Sequence, residues 1–558
     1  MKVVIIGGVA GGASAAARLR RLDENAEIIM FERGQYISFA NCGLPYYIGG
    51  AIQQKAALTL QTPESFNARF NVDVRVNSEV TSIDTAAKTV TVKTPSGEYT
   101  QEYDKLILSP GAKPIMPKLD GADSKKVFTL RNIPDTLKIK EYIENNNVKT
   151  AVVVGGGYIG VEMAENLAHA GIKTTIVEMA DHLIAPLDYD MACDVHHYVK
   201  NCGIDLILSN AVKAIHEKEE GLTVELNSGC LDCDMLIMSV GVVPDTAFLA
   251  SSPIERNAKG LIIVNDKMQT NIDDVYAVGD AVQVNNFVSD EPSFIPLAGP
   301  ANKQGRIAAD NICSLDSLYK GTQGSAVLKI FDMTVATTGL NERAAKSANI
   351  NYDKIYTFSA SHATYYPGAN NMSVKILWDK SDNRIIGAQI VGFDGVDKRM
   401  DVIATAMRFG AKVTDLTELE LCYAPPFGSA KDPVNMAGYV AENVISGKVK
   451  QFFWHDVDSL PRDGSVTLLD VRTPMERSRG YIDGFMHIPL DSLRENLDKI
   501  PSGKDVYIHC HSGLRSYIAC RILQGKGFNT YNLAGGWRLY EAVVNDKKVK
   551  PYVCTECK

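Results

Sequence analysis

The chain has 558 residues, 45% hydrophobic and 22% charged, which is too long for one hydrophobic core and predicts three or four ordinary globular domains. Its net charge of −8 argues against nucleic acid or a membrane surface as the main partner, while leaving room for a local basic patch facing an anionic ligand. No apolar run approaches the ~18 residues that span a bilayer. The first eight residues turn glycine-rich too soon for a signal peptide, and eleven cysteines without one read as reduced or catalytic thiols, so a cytoplasmic protein is expected.

In chain order, residues 2–6 form the unbroken apolar run of a buried parallel strand. Gly7-Gly8-Val9-Ala10-Gly11-Gly12 follows, then a helix over 13–22 and a strand over 27–31 closed by Glu32. Strand, glycine turn, helix, strand and acid make a dinucleotide fingerprint: backbone approaches a pyrophosphate at the helix N-terminus, and the acid accepts from ribose hydroxyls. Val9 stands where the middle glycine belongs. The stretch Ser38-Phe39-Ala40-Asn41-Cys42-Gly43-Leu44-Pro45-Tyr46-Tyr47 holds a single cysteine, and the next in the chain is Cys193.

A second copy begins with a strand over 149–154 and carries Gly155, Gly157 and Gly160 without exception, a helix over 161–170 and a strand over 174–178 ending at Glu178. An acid there selects a free ribose 2′-hydroxyl, and Met179, Ala180 and Asp181 bring no arginine for a 2′-phosphate, which favours NADH over NADPH. Two dinucleotide folds imply a bound flavin and a diffusing nicotinamide. Strands running into Ser109-Pro110-Gly111, into Gly241 and into Gly279-Asp280 repeat one strand-and-turn design.

GGVAGG, SFANCGLPYYIGG, LSPGA, GGGYIG and TNIDDVYAVGDA, in this order, resemble the pyridine-nucleotide flavoprotein disulfide reductases, and the single-cysteine motif resembles their coenzyme A disulfide reductase branch. The resemblance covers about residues 1–445. It implies FAD in the first fold, with Asp280 on the ribitol and contacts from Gly7, Gly8, Ala10, Gly11, Gly12, Glu32, Arg33, Asn41, Val80, Ser109, Pro110, Gly111, Gly279, Pro296, Leu297 and Ala298. For the nicotinamide it implies Gly155, Gly157, Tyr158, Ile159, Gly160, Glu178 and Gly241.

Ser14, Arg18, Arg21, Ser38, Asn41, Asn302 and Lys431 match coenzyme A positions, with Arg18 and Asn302 replacing other residues there. Arg18 and Arg21 share a helix face, and guanidinium groups suit phosphates; the same run is also the pattern of a solvated face. Residues 322–445, with strands over 326–331, 374–377 and 385–391 and a helix over 398–409, match the dimerisation domain. Tyr365 and Tyr423 match tyrosines that reach the partner subunit's Cys42; interface packing is the other reading of aromatics there.

A linker is expected over 446–456. LLDVRTPMER, HIPLDSL, the Cys510-His511-Ser512-Gly513-Leu514-Arg515 loop and NLAGGW then resemble a rhodanese domain over about 457–545. Its loop amides can cradle a thiolate or persulfide on Cys510, Arg515 can add charge, and Asp470 and Arg472 read as structural. The 546–558 tail ends in Cys554-Thr555-Glu556-Cys557, half a zinc site at most, which leaves a thiol relay or a loose end; no metal is expected.

The expected class is α/β: an FAD-binding domain (1–112 and 246–321), an NADH-binding domain (113–245), a dimerisation domain and a rhodanese domain. The expected activity is NADH-driven reduction of coenzyme A persulfide, polysulfide or coenzyme A disulfide through Cys42 in a homodimer, with sulfane sulfur handled at Cys510. An NADH peroxidase or oxidase is the rival enzyme, although such relatives carry histidine where this chain has Ala10. A slow redox sensor or sulfur carrier is the rival of another class.

Overall fold

The computed structural model describes residues 1–549, so Cys554 and Cys557 lie outside the described residues. The described chain forms two compact units: residues 1–180 with 203–324, and residues 181–202 with those from Ser325 onward.

The first unit contains one plan built twice. Lys2–Ile6 is the central strand of a five-stranded parallel sheet, flanked by Glu27–Phe31 and Asp73–Arg75 on one side and by Lys105–Leu108 and Val275–Ala277 on the other. Thr150–Val154 occupies the same place in a second parallel sheet, between Lys173–Val177 and Met235–Met238. Both centres are apolar along their length because helices and connections cover both faces of such sheets. Each fold also carries a three-stranded antiparallel meander, Glu79–Glu102 in the first and Val212–Cys233 in the second. Their middle strands bury alternate residues, Val90 and Val92 in one, Leu222, Val224 and Leu226 in the other, the period of a half-covered strand.

The glycine turns explain why the plan repeats. A Cβ on Gly12 would sit 1.9 Å from the Gly7 carbonyl oxygen, and one on Gly160 would sit 2.0 Å from that of Gly155. Any side chain there would push the helix off its strand. The helices begin earlier than the sequence suggests, at Ala10 and Tyr158, because the turns are tighter than propensity alone predicts.

In the second unit, Ala326–Ile330, Met333–Gly339, Ile385–Gly392, Asn371–Asp379 and Tyr352–Ala360 form an antiparallel sheet in that spatial order. Met333–Gly339 and Tyr352–Ala360 escape the sequence reading, which found only the most apolar runs. A five-stranded parallel sheet follows, ordered Lys450–Phe452, Thr530–Leu533, Val506–His509, Thr467–Asp470 and Met486–His487. Residues 446–456, expected as a linker, therefore supply an edge strand: Lys450–Phe452 pairs in parallel with Tyr531–Leu533.

The unit is tied together by Lys375, whose side chain is wholly buried and whose ammonium lies 2.8 Å from Asp188, 2.9 Å from Asp190 and 2.6 Å from Glu342. These acids come from the 181–202 segment and from helix Glu342–Ser347. Asp190 also accepts from Tyr356 and from the Trp454 indole, so the network reaches the segment leading into the last sheet. Helix Tyr189–Asn201 meets helix Gly536–Lys547 through Asp546, which bonds Tyr189 at 2.9 Å and His196 at 3.1 Å.

Two outcomes are expected. Lys375→Met leaves buried Asp190 and part-buried Asp188 without their cation and Glu342 with Lys354 alone, a change that costs about 3–5 kcal/mol and lowers the midpoint of thermal unfolding followed by circular dichroism. The second concerns His509, which is wholly buried; burial pushes its imidazole down to about 4, against an opposing pull from Asp470. A depressed histidine contributes full stability above its unfolded value of 6.5, and this is lost as pH falls toward about 4. His509→Gln is therefore expected to shift the acid unfolding transition, read by tryptophan fluorescence, to lower pH.

Candidate active site

Helix Ala10–Leu22 points its N-terminus into a cavity of about 500 Å³ in the first unit, and its first turn carries no acid to repel an anion. The walls include Gly7, Ala10, Gly11, Glu32, Arg33, Asn41, Val80, Ser109, Pro110, Gly111, Gly279 and Asp280. Gly8 and Gly12 do not line it; a Cβ on Gly8 would meet Ile37 at 2.7 Å, so both are packing glycines. Pro296 and Leu297 lead into helix Ala298–Ile312, and of that segment Ala301 reaches the wall. Val9 lines the cavity with a negative φ, so the middle position does not require the left-handed backbone that favours glycine.

Glu32 accepts the N–H of Gly8 at 3.1 Å and of Gly34 at 2.8 Å; Glu178 accepts the N–H of Gly156 and, at 2.6 Å, of Ala180. Each carboxylate is thus aimed by its own turn and keeps lone pairs for a ribose diol. Gly157 has nothing within 4 Å of where a Cβ would stand, the open approach a pyrophosphate needs, and Tyr158 and Ile159 open the helix behind it. Gly241 precedes Val242–Pro244, which pairs with Ala112–Pro114.

Sequence reasoning missed Arg131 and Asp245. Arg131 lines the cavity and holds Asp280 at 2.9 Å, and Asp245 pairs with Arg33 at 2.5 Å. Neither lies in a recognisable motif. The buried Oδ1 of Asn41 has no hydrogen-bond partner, an acceptor left for a ligand. These features fit a flavin dinucleotide: a helix terminus for phosphates, an aimed acid for a ribose, and a guanidinium–carboxylate pair beyond.

Cys42 follows Asn41 on the 3-10 turn Asn41–Gly43 and is exposed. Burial of part of its surface pushes its thiol up, the Glu162 and Asp280 carboxylates push it further, and Arg131 opposes them. Of the protein's own charged groups near it, Arg131 is the one that pulls the thiol down.

Around the expected coenzyme A positions, the Ser14 hydroxyl donates to Asn302 Oδ1 at 2.6 Å. Arg18 is engaged by Asp310 at 2.6 Å, whereas Arg21 is exposed. Arg20 is buried and donates to the carbonyls of Phe70, Asp23, Glu24, Ala26 and Asn71, which makes it structural. Ser38 is partly buried in a left-handed conformation with φ 44°, its N–H on the Gly8 carbonyl. In the second unit Lys431 is exposed, and Tyr365 and Tyr423, 75% and 48% exposed, bring their hydroxyls to 2.9 Å.

The second sulfur lies at the end of strand Val506–His509. Cys510 Sγ is buried and accepts from the Gly513 N–H at 3.1 Å and the Ser516 hydroxyl at 3.2 Å. Trp537 N–H and Arg538 N–H donate to the carbonyls of Cys510 and His511, and a Cβ on Gly536 would crowd both carbonyls, so the glycine pair of NLAGGW braces the loop. Arg515 is held by Glu476 through contacts of 2.7 and 2.6 Å, and that pairing holds the Glu476 carboxyl down to about 2. Asp470 and Arg472 form a buried pair at 2.8 Å.

Among the described residues Cys193, His196 and Asp546 also gather ligand atoms within 4.8 Å of one another. The His196 ring already accepts the Leu183 N–H on one nitrogen and bonds Asp546 with the other, which accounts for the cluster as a structural clasp.

Pyridine nucleotide-disulphide oxidoreductases match residues 1–305, their dimerisation domain matches 325–433, and rhodanese-like domains match 454–542. The coenzyme A disulfide reductase of Staphylococcus aureus (strain bovine RF122 / ET3-1) is 37% identical over 445 residues, which cover 79% of this chain and 100% of that protein. The crystal structure of reduced Bacillus anthracis CoADR-RHD superposes with a TM-score of 0.96 at 50% identity, covering 98% of each chain. An NAD-dependent persulfide reductase from A. fulgidus superposes with a TM-score of 0.91 at 34% identity, covering 97% of this chain and 100% of that one. The chain belongs to the pyridine nucleotide-disulphide oxidoreductases, on the coenzyme A disulfide reductase branch, with a rhodanese domain behind its dimerisation domain.

Proposed function

We propose that this enzyme uses NADH to reduce coenzyme A persulfide, polysulfide or coenzyme A disulfide at Cys42, and that Cys510 carries sulfane sulfur. The observation that carries the reading is an exposed Cys42 with no second thiol in its motif, directly beyond the orphaned acceptor of Asn41. A lone thiolate attacking a disulfide or persulfide must hold half of its substrate as a mixed disulfide, so the other half has to be a thiol the enzyme binds.

FAD fits the first-unit cavity, held by the Ala10–Leu22 terminus, Glu32, Asn41 and the Arg131–Asp280 pair. When bound it passes electrons from the nicotinamide to the sulfur. Glu178 and the arginine-free residues after it support NADH over NADPH. Ser14 with Asn302, exposed Arg21 and exposed Lys431 are the groups offered to coenzyme A, while Arg18 stays with Asp310. In a homodimer the Tyr365–Tyr423 hydroxyl pair is offered to the partner subunit's Cys42, where it can hand a proton to a departing sulfur. Absence of any helix among the described residues long and apolar enough to cross a membrane is consistent with a cytoplasmic place of action. Coenzyme A persulfide or polysulfide is preferred over the disulfide because Cys510 keeps its two donors.

Two measurements test this. Cys42→Ser is expected to cut NADH oxidation with coenzyme A persulfide by about 10³-fold or more while the flavin spectrum stays; Cys510→Ser is expected to remove sulfurtransferase activity and spare that reduction. Full reductase activity in Cys42→Ser, or faster turnover with peroxide than with any sulfur substrate, would sink the reading. The second measurement is cofactor choice: kcat/KM is expected to favour NADH over NADPH, and Glu178→Ala to erase most of that preference.

A further inference from the structure

Within the rhodanese domain a charged pair joins the Cys510 loop to the short helix Pro474–Ser478. Arg515 gives both terminal nitrogens to Glu476, Nη1 to Oε2 at 2.7 Å and Nη2 to Oε1 at 2.6 Å. Glu476 is fixed in turn, because its Oε2 accepts the Thr473 N–H and hydroxyl, both at 2.9 Å. The end of the guanidinium fork is thus filled by a carboxylate, and the charge an incoming dianion needs is already cancelled. Neighbouring arginines are committed as well: Arg472 to Asp470 at 2.8 Å, Arg477 to Asp470 at 3.2 Å, and Arg538 over Phe358 at 4.3 Å. Burial of part of its surface lowers the His511 imidazole, so it brings no charge at neutral pH. The chain neighbours of the pair are apolar: Met475 and Leu514 are exposed, as is Ile518 one helical turn past Leu514.

We propose that Glu476 determines the donor specificity of the rhodanese site: by holding Arg515 it turns away dianionic sulfur donors such as thiosulfate and leaves Cys510 to organic persulfides. The inference rests on the sulfur-carrying role assigned to Cys510 above, and names its donor. The exposed apolar residues beside the pair suit the organic part of such a molecule.

The loading step balances without an added oxidant or reductant. The Cys510 thiolate attacks the outer sulfur of R–S–SH and forms a new S–S bond to it. The bond between the donor's two sulfurs breaks, and its electron pair goes to the inner sulfur. That sulfur takes the proton of the outer one and departs as R–SH, leaving Cys510 as a persulfide anion. Thiosulfate would instead expel sulfite, whose two charges call for a free cation close by.

The test is sulfur transfer to cyanide by the full-length, flavin-loaded enzyme without NADH, read as thiocyanate above the uncatalysed rate, with glutathione persulfide and thiosulfate as rival donors. The parent is expected to favour glutathione persulfide in kcat/KM by about tenfold or more. Glu476→Gln keeps an amide oxygen that can accept from Thr473. It is expected to raise kcat/KM for thiosulfate by about fivefold or more, mainly through KM, and to move the persulfide value by less than about twofold. Adding Arg515→Gln to that variant should abolish the gain, because the freed guanidinium is what binds the dianion; a helix merely loosened would change both donors together. A parent that prefers thiosulfate, or a thiosulfate value unmoved in Glu476→Gln, overturns the proposal. Should that variant not fold, the parent's donor order decides alone. Absence of Cys510-dependent transfer from either donor would instead overturn the sulfur-carrying role itself, so the two failures are distinguishable.

Discussion

Everything at the first site depends on a thiolate being formed where the protein's own charges oppose it. Cys42 faces Glu162 and Asp280, and Arg131 is the cation set against them. Arg131 is already shared with Asp280 at 2.9 Å, so its support for the sulfur is diluted. In such a place the thiolate is costly and a covalent S–S bond is the comfortable state. That suits a cysteine whose resting oxidised form is a mixed disulfide, because attack is followed by capture rather than by rapid release.

The second unit solves a different problem: holding a rhodanese-type sheet firmly behind a dimerisation sheet. The Lys375 network draws together residues distant in the chain, Asp188, Asp190, Glu342 and Trp454. Near helix Gly536–Lys547 the Arg538 guanidinium stacks over Phe358 at 4.3 Å and Lys547 lies over Trp454 at 4.5 Å. A buried ion network is weak evidence of net stability, yet removal of Lys375 would strand Asp188 and Asp190 and leave Glu342 to Lys354. Its physical effect is registry, fixing which helix of the last domain meets which strand.

The parts of this architecture legible in the sequence are those where backbone geometry forbids alternatives. Gly12 and Gly160 abut carbonyls at 1.9 and 2.0 Å, so the turn pattern survives in residues and can be read. The apolar centres of both parallel sheets are likewise plain, because burial on two faces demands unbroken runs. Strands Met333–Gly339 and Tyr352–Ala360 were not legible: they mix threonine, lysine and tyrosine among their apolar residues, and the fold supplies partners from other elements, as Glu342 does for Lys354. The pairing of Arg18 with Asp310, and of Arg515 with Glu476, was hidden for the same reason. A spacing shows that an arginine is available; only the fold shows what has already taken it.

The two sulfurs stand in different surroundings. Cys510 is buried beneath two hydrogen-bond donors, with Arg515 neutralised by Glu476, so a charged sulfur there is held by short-range bonds rather than by a free cation. Hydrogen bonds to an anionic acceptor are stronger than those between neutral groups, and they favour a terminal sulfur that bears charge. Cys42 is exposed, with carboxylates nearby, and favours the uncharged S–S bond.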